Sequence, residues 1–272
     1  MSISDTGLRQ NAGNDVPLLH VENLSKVYST GQGVLTALDD VSFSQRKGEF
    51  LSIVGPSGCG KSTLMSIAAG LVPLSSGKLE IDGATINKPR TDIGIVFQSP
   101  VLLEWRTVLG NILLQAEAKK IEKKAAEERA YALLRSVGLA GFEHKFPHEL
   151  SGGMRQRVSI CRALIHEPSH LLMDEPFGAL DALTRDQMII DLQEICAKRE
   201  TTVLLITHNF SEAVFLSDRV IVMSPRPGRI DKIIDIDLPR PRRLSDREGS
   251  EFGRYSREIL ELFLARGVLR EH

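Results

Sequence analysis

With 272 residues, 42% hydrophobic and 25% charged, the chain has the make-up of a globular protein of one large domain or two modest ones. Its formal net charge of −1 excludes a global positive field of the kind that draws nucleic acid. The three cysteines, Cys59, Cys161 and Cys196, are far apart and form no C-x-x-C pair, which excludes a disulfide framework or a cysteine zinc site and suits a reducing compartment.

Residues 1–16 are rich in Ser, Asp, Gly and Asn and are predicted to form a flexible N-terminal tail. They lack the apolar centre of a secretory signal. Leu18 to Leu24 reads as a strand, and Phe50 to Val54 as a second strand running into a glycine-rich loop. After that loop Leu64, Ile67, Ala68 and Leu71 recur at helical spacing. Short apolar runs follow at Lys78 to Ile81, Ile93 to Phe97, Leu171 to Met173, Thr202 to Ile206 and Val220 to Met223. Several are continuous rather than alternating, as strands covered on both faces are. None approaches the ~18 apolar residues that span a bilayer, so a membrane role is expected to come through a partner. Val108 to Val137, rich in Ala, Glu, Lys and Leu, reads as two or three helices inserted between the strand-bearing parts, with Lys119 to Arg129 as a solvated helix face. Pro239 to Arg243 marks a break, and Glu258 to Arg266 a closing amphipathic helix that Gly267 would end. His144, His148, His166 and His170 form no ligand set and read as surface or capping residues.

The loop Gly55-Pro56-Ser57-Gly58-Cys59-Gly60-Lys61-Ser62-Thr63 fits G-x-x-x-x-G-K-[ST] between a predicted strand and a predicted helix. Its glycines let backbone N–H groups wrap around phosphates, and the helix adds its positive end. Lys61 can reach the β and γ phosphates, and the Ser62 hydroxyl can ligate Mg²⁺. Cys59 reads as a small residue that fits the loop. By itself the loop says only that a nucleotide binds.

Polar residues that end apolar runs narrow the choice, because ligands of open α/β sheets gather at the carboxyl ends of strands. Gln98 follows Ile95 to Phe97, Asp174 and Glu175 follow Leu171 to Met173, and His208 follows Leu204 to Thr207. Asp174 suits Mg²⁺ binding, and Glu175 could polarise an attacking water. Gln98 could bind metal or water through its amide, and His208 could contact the γ phosphate. A lone Gln or His at a strand end is also an ordinary structural cap.

The segment Leu150-Ser151-Gly152-Gly153-Met154-Arg155-Gln156-Arg157 decides the family. Ser151 can cap a helix whose buried face is Met154, Val158, Cys161 and Leu164. Its two glycines leave the first amides uncovered, giving the chain a second anion site. With these residues in order, the chain resembles an ATP-binding subunit of the ATP-binding-cassette (ABC) family. Leu150 to Gln156 resembles that family's signature motif, Phe97-Gln98 its Q-loop and Leu171 to Glu175 its Walker B segment. Gly178-Ala179-Leu180-Asp181 resembles its D-loop, and Thr207-His208 its switch histidine. Order and spacing agree over roughly residues 18–225.

The resemblance implies an α/β P-loop ATPase core with an N-terminal antiparallel β portion and an inserted helical subdomain. It places an ATPase domain at 17–238, the helical subdomain at 99–157 and a helical extension at 239–272. It implies a head-to-tail homodimer in which ATP lies between one chain's P-loop and the other chain's Ser151, Gly152, Gly153 and Asp181. Tyr28 would stack on adenine or, on the alternative reading, pack in the core. The stretch Ser99 to Val108, with Asn111, and the stretch Met223 to Ile230 are similar to the nitrate, sulfonate and taurine importer group, although Glu104 stands where many members have proline. That similarity implies solute import through separate integral membrane permease subunits docking around Gln98–Asn111, with a solute-binding protein as an indirect partner. Trp105, the one Trp, is either an anchor in that contact or packing within the helical lobe. The chain would act at the cytoplasmic face of the cell membrane. ABC ATPases of DNA maintenance or translation are the alternative; no long coiled-coil insertion and no second cassette is present to favour them.

Overall fold

The computed structural model describes residues 17–31, 33–178 and 180–269, so the tail expected at 1–16 lies outside the described residues. Two sheets organise it. The first is antiparallel and contains β1 (Leu19–Thr30), β2 (Gly33–Gln45), β4 (Ser76–Ile81) and β5 (Ala84–Thr85), in the order β2-β1-β4-β5. The second contains β3 (Phe50–Val54), β6 (Ile93–Val96), β7 (His170–Asp174), β8 (Thr202–Thr207), β9 (Arg219–Met223) and β10 (Ile230–Asp235), in the order β10-β9-β3-β8-β7-β6. All its neighbours pair in parallel except β10, which runs antiparallel to β9 at the edge.

The continuous apolar runs follow from this burial. Alternate side chains of a strand point to opposite faces. Leu51 and Ile53 enter one core with the antiparallel sheet and with α1 (Lys61–Ala68), whereas Phe50 and Val54 enter a second core with the remaining helices. The helix after the loop is shorter than its periodicity suggests. It ends at Ala68 before a left-handed Gly70 (φ +71°), which leaves Leu71 exposed instead of on the apolar stripe.

The inserted segment forms two helices, α2 (Val108–Ala118) and α3 (Lys123–Ser136), which pack on each other and on α4 (Gly152–Leu164). The charged run 119–129 is therefore not one helix face. It crosses the turn between α2 and α3, where the Glu122 carboxylate accepts from the amides of Lys124 and Ala125 and starts the second helix. On α4, Val158, Cys161 and Leu164 are buried as expected, and Met154 is half-buried. The helix runs through residue 157 without a break and packs on β6, tying the lobe to the sheet.

Among the described residues the chain continues through α5 (Ala182–Arg199), α6 (Phe210–Leu216) and α7 (Ser250–Ala265), and Gly267 is left-handed after α7. The closing helix starts eight residues before the expected Glu258, because Phe252 and Tyr255 extend its buried face. The three cysteines are buried. His166 and His170 correct the expectation of surface histidines: both are buried, and His170 Nε2 pairs with Gln45 Oε1 at 3.0 Å.

Candidate functional site

The sheet order brings the strand ends together. β3, β8, β7 and β6 are consecutive and parallel, so their carboxyl ends form one row. The P-loop leaves β3, His208 follows β8, Asp174 and Glu175 end β7, and Gln98 follows β6.

The P-loop owes its shape to its glycines. Gly58 and Gly60 have φ of +76° and +102°, a conformation that glycine adopts at little cost. A Cβ on Gly60 would also stand 2.7 Å from the Ala37 carbonyl oxygen. α1 starts at Lys61 with no side-chain cap, so its first amides stay available to an anion. Lys61 is buried, and its Nζ donates to the carbonyls of Gly55 (2.7 Å) and Pro56 (3.0 Å). Burial pushes the Cys59 thiol up from its ordinary value despite the nearby Lys61 charge. The thiol is therefore kept protonated, as a small packing residue should be.

Glu175 is the hub of the row. Its backbone is left-handed (φ 45°) and its amide donates to the Ile206 carbonyl at 2.8 Å. Its carboxylate accepts from Gln98 Nε2 at 3.1 Å and lies 3.3 Å from His208 Nδ1. Asp174, one residue earlier, is hydrogen-bonded by the Ser62 hydroxyl, while burial raises its pKa. These donors suit magnesium: hydroxyl, carboxylate and amide oxygens are hard ligands, and Ser62 and Asp174 already meet at one point. Among the described residues no cluster of three or more His, Cys, Asp or Glu could hold a metal by itself.

A cavity of about 390 Å³ unites Tyr28, Ser57, Lys61, Ser62, Gln98 and Glu175. Tyr28 is half-buried and lines this cavity rather than the core, with Lys26 Nζ 4.7 Å from its ring centroid. The cavity wall also holds Leu35, Ala37 and Arg226, which sequence reasoning missed. They come from β2 and from the β9–β10 turn, and only the three-dimensional fold places those beside the loop.

Ser151, Gly152, Gly153 and Asp181 do not join that cavity. They share a separate one of about 500 Å³. Ser151 Oγ caps α4 by accepting from Met154 N (3.3 Å), and Asp181 caps α5 by accepting from Thr184 N (3.0 Å). Residues expected to touch one nucleotide thus occupy two places on one chain. Glu212 was also missed. Its buried carboxylate accepts from Thr207 Oγ1 (2.7 Å) and lies 3.6 Å from Arg185 Nε, whose Nη2 donates to Leu180 O at 2.9 Å. This chain of contacts joins the end of β8 to the residue before Asp181. A larger cavity, about 600 Å³ between Lys47, Gln193 and Arg240, lies at the opposite, amino end of β3 and β8 and contains none of these groups.

Near Gln98, the loop before α2 is held from within. Asn111 is buried, accepts from Leu103 N at 2.7 Å and donates to the carbonyls of Leu103, Arg106 and Thr107. Arg162 donates to the carbonyls of Pro100 and Val101. Asn111 is therefore a scaffold residue, whereas Trp105 is 75% exposed and Val101 58% exposed. Among the described residues no helix is long and apolar enough to cross a membrane.

Residues 38–178 match the family model described as ABC transporter. The chain is 47% identical over 244 residues to an ABC transporter ATP-binding protein of Methanocaldococcus jannaschii, covering 90% of each. It is 47% identical over 224 residues to the taurine import ATP-binding protein of Rhizobium johnstonii (82% of this chain, 86% of the relative). It is 40% identical over 250 residues to an aliphatic sulfonates import ATP-binding protein of Bacillus cereus (92% and 97%). Among solved structures, a dimeric ATP-binding cassette in a post-hydrolysis state with ADP and Pi superposes with a TM-score of 0.73 at 31% identity, covering 81% of this chain and all of that one.

Proposed function

This chain belongs to the ABC transporter family, and we propose that as the ATPase subunit of an importer it hydrolyses ATP at sites shared between two copies of itself. The observation that carries the shared site is the separation of the two cavities. Tyr28, Lys61, Ser62, Gln98 and Glu175 line one, and Ser151, Gly152, Gly153 and Asp181 line the other. A head-to-tail pair would bring the second of one copy onto the first of its partner. The solved dimeric cassette supports this reading.

In this reading Tyr28 stacks on the adenine, and the loop from Gly55 to Thr63 wraps the phosphates. Lys61 turns its ammonium from the Gly55 and Pro56 carbonyls toward the β and γ oxygens. Ser62, Asp174 and Gln98 would hold Mg²⁺, which when bound neutralises charge on the phosphate oxygens. Glu175 accepts a hydrogen bond from the attacking water. The water oxygen bonds the γ phosphorus as its proton passes to the Glu175 carboxylate and on to the phosphate formed, the bond to the bridging oxygen breaks, and ADP and phosphate leave. His208 holds the Glu175 carboxylate from one side and Gln98 from the other, so the base is oriented by two strands at once.

The exposed Trp105 and Val101, on a loop fixed by Asn111 and Arg162, form the surface we assign to a permease subunit, with the solute-binding protein reached through that permease. The chain would then lie at the cytoplasmic face of the membrane. The taurine import and aliphatic sulfonates import relatives support a small sulfonate-like cargo. Sizing of the Glu175→Gln chain tests the shared site. It should run as a dimer with Mg-ATP and as a monomer without nucleotide; a species unchanged by ATP would refute it.

A further inference from the structure

Between β9 and β10, residues 224–229 form a turn that closes on itself. Ser224 N donates to Arg229 O at 2.9 Å, and Ser224 Oγ accepts from Arg229 N at 3.0 Å. The turn is also fixed to the nucleotide cavity. Gly228 N donates to Ala37 O and Asp39 N donates to Gly228 O, each at 3.0 Å, and Arg229 forms an ion pair with Asp39. Gly228 meets the P-loop so closely that a Cβ there would stand 1.9 Å from the Cys59 carbonyl oxygen.

This docking has a chemical consequence. It sets Arg226 into the wall of the cavity shared by Tyr28, Leu35, Ala37 and the P-loop. The side chain is exposed and has no hydrogen-bond or ion-pair partner among the described residues, whereas Arg229 three residues on is paired. None of the contacts that hold the turn uses the Arg226 side chain. The turn is bonded to β2 at Ala37 and Asp39, and β2 pairs Leu35 with Tyr28, so Arg226 and Tyr28 line the same cavity on either side of β2 residues 35–37. Lys61, Ser62 and Glu175 serve the phosphate side.

We propose that Arg226 is a nucleotide-binding residue that holds the base and ribose of ATP, opposite in role to Lys61. This rests on the reading of the cavity as the ATP site. A guanidinium is weakly hydrated, planar and rich in donors, so it can lie against a purine ring and donate to ribose hydroxyls; an ammonium cannot reproduce both. The turn from β9 to β10 then contributes to affinity for the nucleoside, a part of ATP that the phosphate cradle does not touch.

The test is calorimetric titration of the full chain with ATP and with inorganic tripolyphosphate, which lacks base and ribose, together with steady-state hydrolysis. Arg226→Ala should weaken ATP roughly tenfold, as loss of one desolvated stacking or charge-assisted contact does, and leave tripolyphosphate unchanged. KM for ATP should rise with kcat within about twofold of the parent, and the melting temperature should not move. Arg226→Lys should recover less than half of the loss. Parental ATP affinity in Arg226→Ala overturns the proposal, and so does an equal loss for both ligands, which would place the guanidinium on phosphate. Lys61→Ala separates the two levels of inference: it should weaken both ligands, and if it weakens neither, the cavity itself is not the ATP site.

Discussion

Oε1 of Glu175 lies 3.3 Å from Nδ1 of His208, although the two residues follow different strands and are 33 positions apart. The pair exists because β7 and β8 are neighbours whose carboxyl ends coincide, with Asp174 in register with Ile206. The left-handed backbone of Glu175 then turns its carboxylate across the gap toward His208 and Gln98. A carboxylate held at both ends is oriented before any water arrives.

That geometry sets the first prediction. Glu175→Gln should bind ATP with parental affinity and lower kcat by at least about a hundredfold, the usual scale of a lost general base. His208→Ala should lower kcat as well, and the double variant should be little worse than Glu175→Gln, because the histidine acts through the carboxylate. Rates that multiply in the double variant would show that the two residues act independently.

A second prediction concerns the backbone of the P-loop. Gly228→Ala places a methyl group within 1.9 Å of Cys59 O, a backbone atom that cannot swing aside. The substitution should lower stability by about 1–3 kcal/mol and weaken ATP binding, because the loop must shift to make room. Thermal melting and an ATP titration check both effects; an unchanged ATP affinity would mean that the turn and the loop move independently.

Arg242 supports the third. It is 3% exposed and donates through Nη1 to the carbonyls of Val214, Phe215 and Ser217, and through Nη2 to that of Leu238. Its burial lowers its pKa to about 10, and it remains charged at neutral pH. Arg242→Met would leave the carboxyl end of α6 unpaired and should cost about 3 kcal/mol in chemical denaturation. Arg243→Met, at the exposed neighbour, should change stability by no more than about 0.5 kcal/mol.

His170 supports the fourth, through pH. Burial, aided by the charge of Arg90, depresses its pKa from 6.5 to about 3. For a base whose folded pKa lies below its unfolded value, the stability contribution is fully present above about 6.5 and is lost as pH falls toward 3. His170→Gln takes up no proton there. The advantage of the parent over this variant should therefore shrink between pH 7.5 and pH 5, toward an overall change on the order of a few kcal/mol. A difference constant across that range would rule out the neutral buried histidine.

Much of the site was legible because its chemistry is local in sequence. A strand, a glycine-rich loop, Lys61, Ser62 and a helix follow one another without interruption, and backbone sterics alone require that Gly58 and Gly60 stay glycine. Asp174, Glu175, Gln98 and His208 were each visible as a polar residue ending an apolar run. Their roles needed the resemblance, since a strand end alone does not name its neighbours. His166 and His170 were misjudged for a related reason: nothing in the sequence around His170 announces that Gln45, 125 positions away, will accept it in the core.

By itself, then, the sequence determined most of the core strands, the glycine-rich loop with the helix after it, and the family, because short-range periodicity and loop chemistry are written along the chain; β2, β10, α5 and α6 were not read from it. Only the tertiary structure decided which strand ends are neighbours and that the Ser151 segment belongs to a separate cavity. It alone brought Arg226 and Tyr28 into the wall of one cavity and joined Thr207 through Glu212 and Arg185 to Leu180. Strand order and the docking of a turn depend on burying apolar faces from distant parts of the chain together, and that is settled by packing rather than by any local stretch of residues.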